Sequence, residues 1–147
     1  STMKSGALDH LILVVVGASL RGEMMDRPLG YRIADEIRQR LGKTSLWQTL
    51  VISDVLYLND QRLTCLPTVS IGGPGVNNLA GVLYRELSPV LTVDGVLVVQ
   101  MDPDQQDHRC SLWGMNHEQT VEALELFLKL GHLDHFLAGV TGQTQVK

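Results

Sequence analysis

Thr68-Val69-Ser70-Ile71-Gly72-Gly73-Pro74-Gly75-Val76-Asn77-Asn78, continuing into Leu79-Ala80-Gly81-Val82-Leu83-Tyr84-Arg85-Glu86-Leu87, reads as a short strand, a glycine-rich turn and a helix. Gly72, Gly73 and Gly75 remove side chains where the chain must turn sharply, Pro74 fixes one φ angle, and Asn77 or Asn78 suits the helix N-cap. Such a turn leaves N–H groups at the positive end of a helix dipole, where phosphate and carboxylate groups bind. The helix buries Leu79, Val82, Leu83 and Leu87, and Ser88-Pro89 stops it.

Working outward, residues 8–16 (Leu-Asp-His-Leu-Ile-Leu-Val-Val-Val) form a nearly continuous aliphatic run ending at Gly17, the pattern of a central strand buried on both faces of a mostly parallel sheet. A loop from Gly17 to Asp26 leaves its carboxyl end, where ligands of open α/β sheets collect. Asp26 is placed to cap a helix over 27–41, in which Leu29, Ile33, Ile37 and Leu41 share one face and Arg32, Glu36 and Arg40 form an outer ion-pair ladder. Residues 48–53 read as a second strand followed by an extended or turning stretch, and 62–71 as a loop entering a short strand. Asp94-Gly95 allows either a tight hairpin or an αβ loop before a strand at 96–101. Cys110 to Gly114 is a further short strand. Asn116 caps a helix with Gln119 at capping-box spacing, burying Val121, Leu124, Phe127, Leu128 and Leu130, and Leu133, Phe136, Leu137 and Val140 fit a terminal helix. The recurring order predicts a single α/β domain over 1–147, a three-layer Rossmann-like arrangement of a mostly parallel sheet with helices on both faces, and disordered ends at 1–6 and 141–147.

Composition narrows the function classes. A formal net charge of −4, with no run of Lys or Arg, gives no electrostatic footprint for nucleic acid. The longest apolar run, Leu11 to Val16, is too short to span a bilayer, and no charged-then-apolar leader precedes it, so a soluble, cytoplasmic protein is expected with no membrane partner. Cys65 and Cys110 make neither a disulfide framework nor a zinc knuckle and read as small buried hydrophobes. Aromatics at 5% leave Leu, Val and Ile to fill the core.

The glycine turn departs from the dinucleotide fingerprint, whose glycines are spaced G-x-G-x-x-G after the first strand, and lacks the Gly-Lys-Ser/Thr of a P-loop, so it names no cofactor. Ile71-Gly72-Gly73-Pro74 followed by Asn77 resembles a turn of archaeal surface-layer proteins and, more loosely, the Ile-Gly-Gly turn of bacterial cell-wall-binding repeats. The likeness covers about twenty residues, 69–87, and implies a Rossmann-like strand-turn-helix unit.

The candidate ligand-binding residues are therefore Gly17, Ser19, Arg21, Gly72, Gly73, Gly75, Asn77 and Asn78, directed at a small anion such as a nucleotide or sugar phosphate. The alternative is that the glycines only permit a tight turn, in an interaction domain that forms a homo-oligomer through an exposed patch on the helix around Leu133 to Val140. Asp102, Asp104, Asp107 and His108 offer oxygen and imidazole groups to a cation, but the spacing fails the EF-hand pattern, so a solvated acidic loop is the expectation and no metal site is assigned. No nucleophile-base pair is legible, which leaves catalysis open. Asp102, Asp104 and His117 are the acid–base candidates, on the expectation that loops after strands gather at one sheet edge. Trp113, Met115 and Tyr84 offer an apolar wall to a planar ligand, although a Trp in a chain so poor in aromatics reads first as a core anchor.

Overall fold

The computed structural model describes residues 8–142. Among them six strands form one mixed sheet in the order β2-β1-β3-β6-β5-β4. They are β1 (Leu11–Val16), β2 (Gln48–Ser53), β3 (Thr68–Ile71), β4 (Pro89–Val93), β5 (Leu97–Met101) and β6 (Arg109–Gly114). The pairings β1·β2, β1·β3 and β3·β6 are parallel, while β5 runs antiparallel to both β6 and β4. The helices are α1 (Arg27–Leu41), α2 (Asp54–Leu58), α3 (Gln61–Thr64), α4 (Asn78–Glu86), α5 (His117–Lys129) and α6 (His132–Thr141).

Every side chain of β1 is buried, which explains its unbroken aliphatic sequence. Successive side chains point to opposite faces. Ile12, Val14 and Val16 join Ile33 and Ile37 of α1, Leu124 and Phe127 of α5, and Leu133, Phe136 and Leu137 of α6. Leu11, Leu13 and Val15 join Tyr57 of α2 and Leu79, Leu83 and Leu87. β1 is second from one edge, so the middle of the sheet is β3 and β6.

The structure corrects several expectations and decides between others. The stretch after β2 is helical, because Ser53 accepts the Leu56 N–H and starts α2, and Asp60 likewise caps the short α3. Asp94-Gly95 makes the hairpin: both residues have positive φ, 53° and 70°, and the Val96 N–H closes the turn on the Val93 carbonyl at 2.9 Å. The α1 arginines reach beyond their own helix, Arg32 to Glu125 and Arg40 to Asp134 as well as Glu36. Leu130 is exposed, as is Cys65, whereas Cys110 is buried and burial pushes its thiol well up. On α6, Leu133, Phe136 and Leu137 are buried in the core and Val140 is partly buried against it. Thr141 closes α6, and the expected disorder at 1–6 and 143–147 lies outside the described residues. Among the described residues no helix is long and apolar enough to cross a membrane.

Candidate functional site

The parallel strands β1, β3 and β6 end at one edge of the sheet, and the loops after them meet there. β5 runs the other way: Leu97 pairs with Gly114 at the end of β6, and Met101 pairs with Cys110 near its start. The loop after β5 therefore lies at the opposite edge, so Asp102 and Asp104 do not join His117. The cause is the Asp94-Gly95 hairpin, which reverses the chain once before β6. Asp102 is occupied in its own loop. Its two oxygens accept the N–H groups of Asp104, Gln106 and Asp107 at 2.9–3.0 Å, and these bonds, the one from Asp104 foremost, hold its carboxyl below the usual range. Asp107 pairs with Arg109. Among the described residues no three His, Cys, Asp or Glu side chains converge as a metal ion would require.

At the shared edge the glycine turn packs directly on the end of β1. A Cβ at Gly17 would stand 1.7 Å from the Val76 carbonyl oxygen, so only glycine lets the two backbones touch. Asn77 is fully buried and joins the ends of β1 and β3 to α4: its Oδ1 accepts the Leu79 N–H at 2.9 Å as the α4 N-cap, while Nδ2 donates to the Ile71 carbonyl, Ser70 Oγ and the Val15 carbonyl. The next N–H of α4 is filled from within the chain. Asp54, buried at the start of α2, accepts Asn78 N–H at 2.7 Å through Oδ2 and Ala18 N–H at 2.9 Å through Oδ1. The dipole end expected to hold a ligand anion thus holds a carboxylate of the protein. Val76 and Asn77 N–H groups turn back to the Gly73 carbonyl, which leaves Gly73 and Gly75 as the N–H groups of this turn without an acceptor among the described residues. Ser19 is exposed, and its Oγ accepts the Gly22 N–H at 3.1 Å.

Beyond Ser19 the chain is helical, with a π-helical turn at Gly22–Asp26 whose mark is the Arg27 N–H bonded to the Gly22 carbonyl five residues back. Asp26 therefore makes no cap. Its side chain points inward, only 4% exposed, against Gly72, where a Cβ would come within 2.6 Å of Oδ2 and where φ is +100°. Burial pushes the Asp26 carboxyl up, with His117 and Arg21 pulling it back. His117 Nδ1 stands 3.7 Å from Asp26 Oδ1, too far for a hydrogen bond, and is buried without a partner. Around this pair opens a cleft of about 420 Å³ lined by Arg21, Gly73, Gly75, Trp113, Met115 and Asn116 among others.

The edge thus brings together Gly17, Arg21, Gly72, Gly73, Gly75 and His117, while Ser19, Asn77 and Asn78 are engaged in holding the loops. Asp26 and Asp54 are the residues that sequence reasoning missed. Asp54 carried a usable signal, an acid immediately after an aliphatic strand and hence at the carboxyl edge. Asp26 carried a misleading one, since an Asp before Arg-Pro reads as a cap. Compared with known proteins, the chain matches no family model, no curated protein and no solved structure.

Proposed function

We propose that this protein is a Rossmann-like, three-layer binding domain whose ligand is a small anion of the nucleotide or sugar-phosphate class, held in the cleft between the glycine turn and His117. The observation that carries the reading is that the N–H groups of Gly73 and Gly75, which have no acceptor among the described residues, share one cleft with Arg21 and His117. The anion's place is above the turn and not at the α4 N-terminus, which Asp54 fills. Asp26 tempers the site. A charged Asp26 repels an anion and a protonated one does not, so affinity rises as the pH falls through its raised pKa.

Thermal-shift measurements across nucleotides and sugar phosphates test this, because a ligand at a hundred times its dissociation constant adds about 2.7 kcal/mol of stability. Arg21→Ala should lower the affinity of any hit at least tenfold. No shift with any compound, or a hit indifferent to Arg21→Ala, removes the reading. A second reading is assembly through the open edge of the sheet, favoured by the exposed Leu46 and Leu50 beside and on the edge strand β2 and Val55 and Leu56 on α2. Under it the chain sediments as a dimer that Leu50→Lys dissociates.

A further inference from the structure

A second cavity of about 380 Å³ lies between α4 and the β4–β5 hairpin, walled by Tyr84, Leu87, Val98, Gln100, Trp113 and Met115. Its lining includes no charged side chain. The Tyr84 and Trp113 rings stand 6.1 Å apart at 59° and form two aromatic sides.

Two polar atoms at this groove are buried without partners. Gln100 is 1% exposed, and its Nε2 is committed to the carbonyls at the end of α4, most closely that of Leu87 at 2.6 Å. That bond fixes the amide, so Oε1 faces away from the Leu87 carbonyl, and no donor reaches it. Trp113 Nε1 likewise has no acceptor. The indole edge bearing Cε3 and Cζ3 lies against Gly73, where an added Cβ would meet Cε3 at 2.9 Å. Nε1, on the opposite edge, is turned away from the glycine turn. Register relates the two groups: Val98 pairs with Trp113 and Gln100 with Ser111, so Gln100 and Trp113 are diagonal neighbours on one face. The Cα atoms of such neighbours lie roughly 7–8 Å apart.

We propose that this groove is a second ligand site, which takes a planar, neutral molecule carrying a hydrogen-bond donor for Gln100 Oε1 and an acceptor for Trp113 Nε1, of the aromatic primary amide type. Uncharged walls disfavour an ion, since nothing there would replace its hydration. The two aromatic sides suit a ring, and the unpartnered acceptor and donor suit an amide. The inference does not depend on the anion cleft, whose lining shares only Trp113 and Met115 with this groove.

Benzamide is the probe, with toluene (no polar group) and benzoate (charged, no N–H) as comparators, followed through the indole N–H resonances of the two tryptophans in ¹H–¹⁵N spectra. Benzamide should move the Trp113 indole signal and the Gln100 side-chain amide, leave Trp47 in place, and bind at least tenfold more tightly than either comparator. Gln100→Met also removes the bonds to α4 and risks the fold, so the groove is blocked instead by Val98→Phe, which should weaken benzamide at least tenfold while the folded spectrum persists. Failure of millimolar benzamide to move Trp113, equal affinity for toluene, or binding unchanged by Val98→Phe would each overturn the proposal.

Discussion

Asp54→Ala removes one side chain that ties two loops and a helix end together. Its carboxylate accepts Ala18 N–H at 2.9 Å and Asn78 N–H at 2.7 Å, linking the end of β1 to the start of α4 across 36 and 24 residues of chain. A hydrogen bond to a charged group contributes roughly 1.5–3 kcal/mol. The Asn78 bond deserves the upper part of that range, because a carboxylate at a helix N-terminus gains about 0.3–1 kcal/mol more from the dipole. The Ala18 bond deserves the lower part, since Ala18 is exposed and water can replace the lost acceptor. The expected loss is therefore about 3–5 kcal/mol, a large share of the roughly 5–15 kcal/mol that holds an ordinary domain folded. Asp54→Asn should cost about 2–3 kcal/mol, because one oxygen survives as an acceptor while the new NH2 group confronts an N–H donor. Urea unfolding with an unchanged m-value measures the loss, and hydrogen exchange at Asn78 locates it. A loss under about 1 kcal/mol for Asp54→Ala, or an Asn78 amide as protected as before, would refute the claim that this carboxylate anchors the edge.

Asn77→Ala removes the α4 cap and three Nδ2 bonds in one step and should cost about 3 kcal/mol or more, read by denaturant unfolding. Gly17→Ala forces a Cβ to 1.7 Å of a backbone oxygen and should destabilise severely, whereas Gly75→Ala, whose Cβ meets nothing within 4 Å, should be neutral or gain up to about 1 kcal/mol; paired melting curves compare them. Asp26→Asn tests the buried carboxyl. Because its pKa is raised above 3.8 in the folded protein, the stability it contributes is full below pH 3.8 and is lost as the pH rises through the folded value. The variant should therefore be more stable than the parent at pH 7, with the gap closing at up to about 1.4 kcal/mol per pH unit on acidification and gone at pH 3.

What the chain writes locally was legible. α1 and β2 have the bounds their apolar periods imply, and Asn77 and Asn116 cap the helices that follow them, because a cap needs only a side-chain oxygen within three residues of an N–H. The aliphatic run of β1 announced burial on both faces for the same reason, each of its six side chains being at a position with no solvent side. Edge assignment was not legible, since it depends on how many times the chain reverses between β3 and β6. Asp94-Gly95 supports two readings locally, and the choice between them moves Asp102 and Asp104 from one end of the sheet to the other.

The proposed anion site shows the same division in chemical form. Read alone, a strand, a glycine turn and a capped helix leave open N–H groups, and an external anion is the natural occupant. The helix does not distinguish a ligand's oxygens from those of a carboxylate that the fold delivers, and Asp54, 24 residues upstream, reaches Asn78 first. Under the proposal, what decides the ligand's place is which donors remain after the chain has satisfied its own. Those are the N–H groups of Gly73 and Gly75, in the cleft that Arg21, Asp26 and His117 also line. Under the proposal, an acceptor on the ligand and a protonated Asp26, whose carboxyl burial pushes up, are the conditions under which this cleft takes an anion.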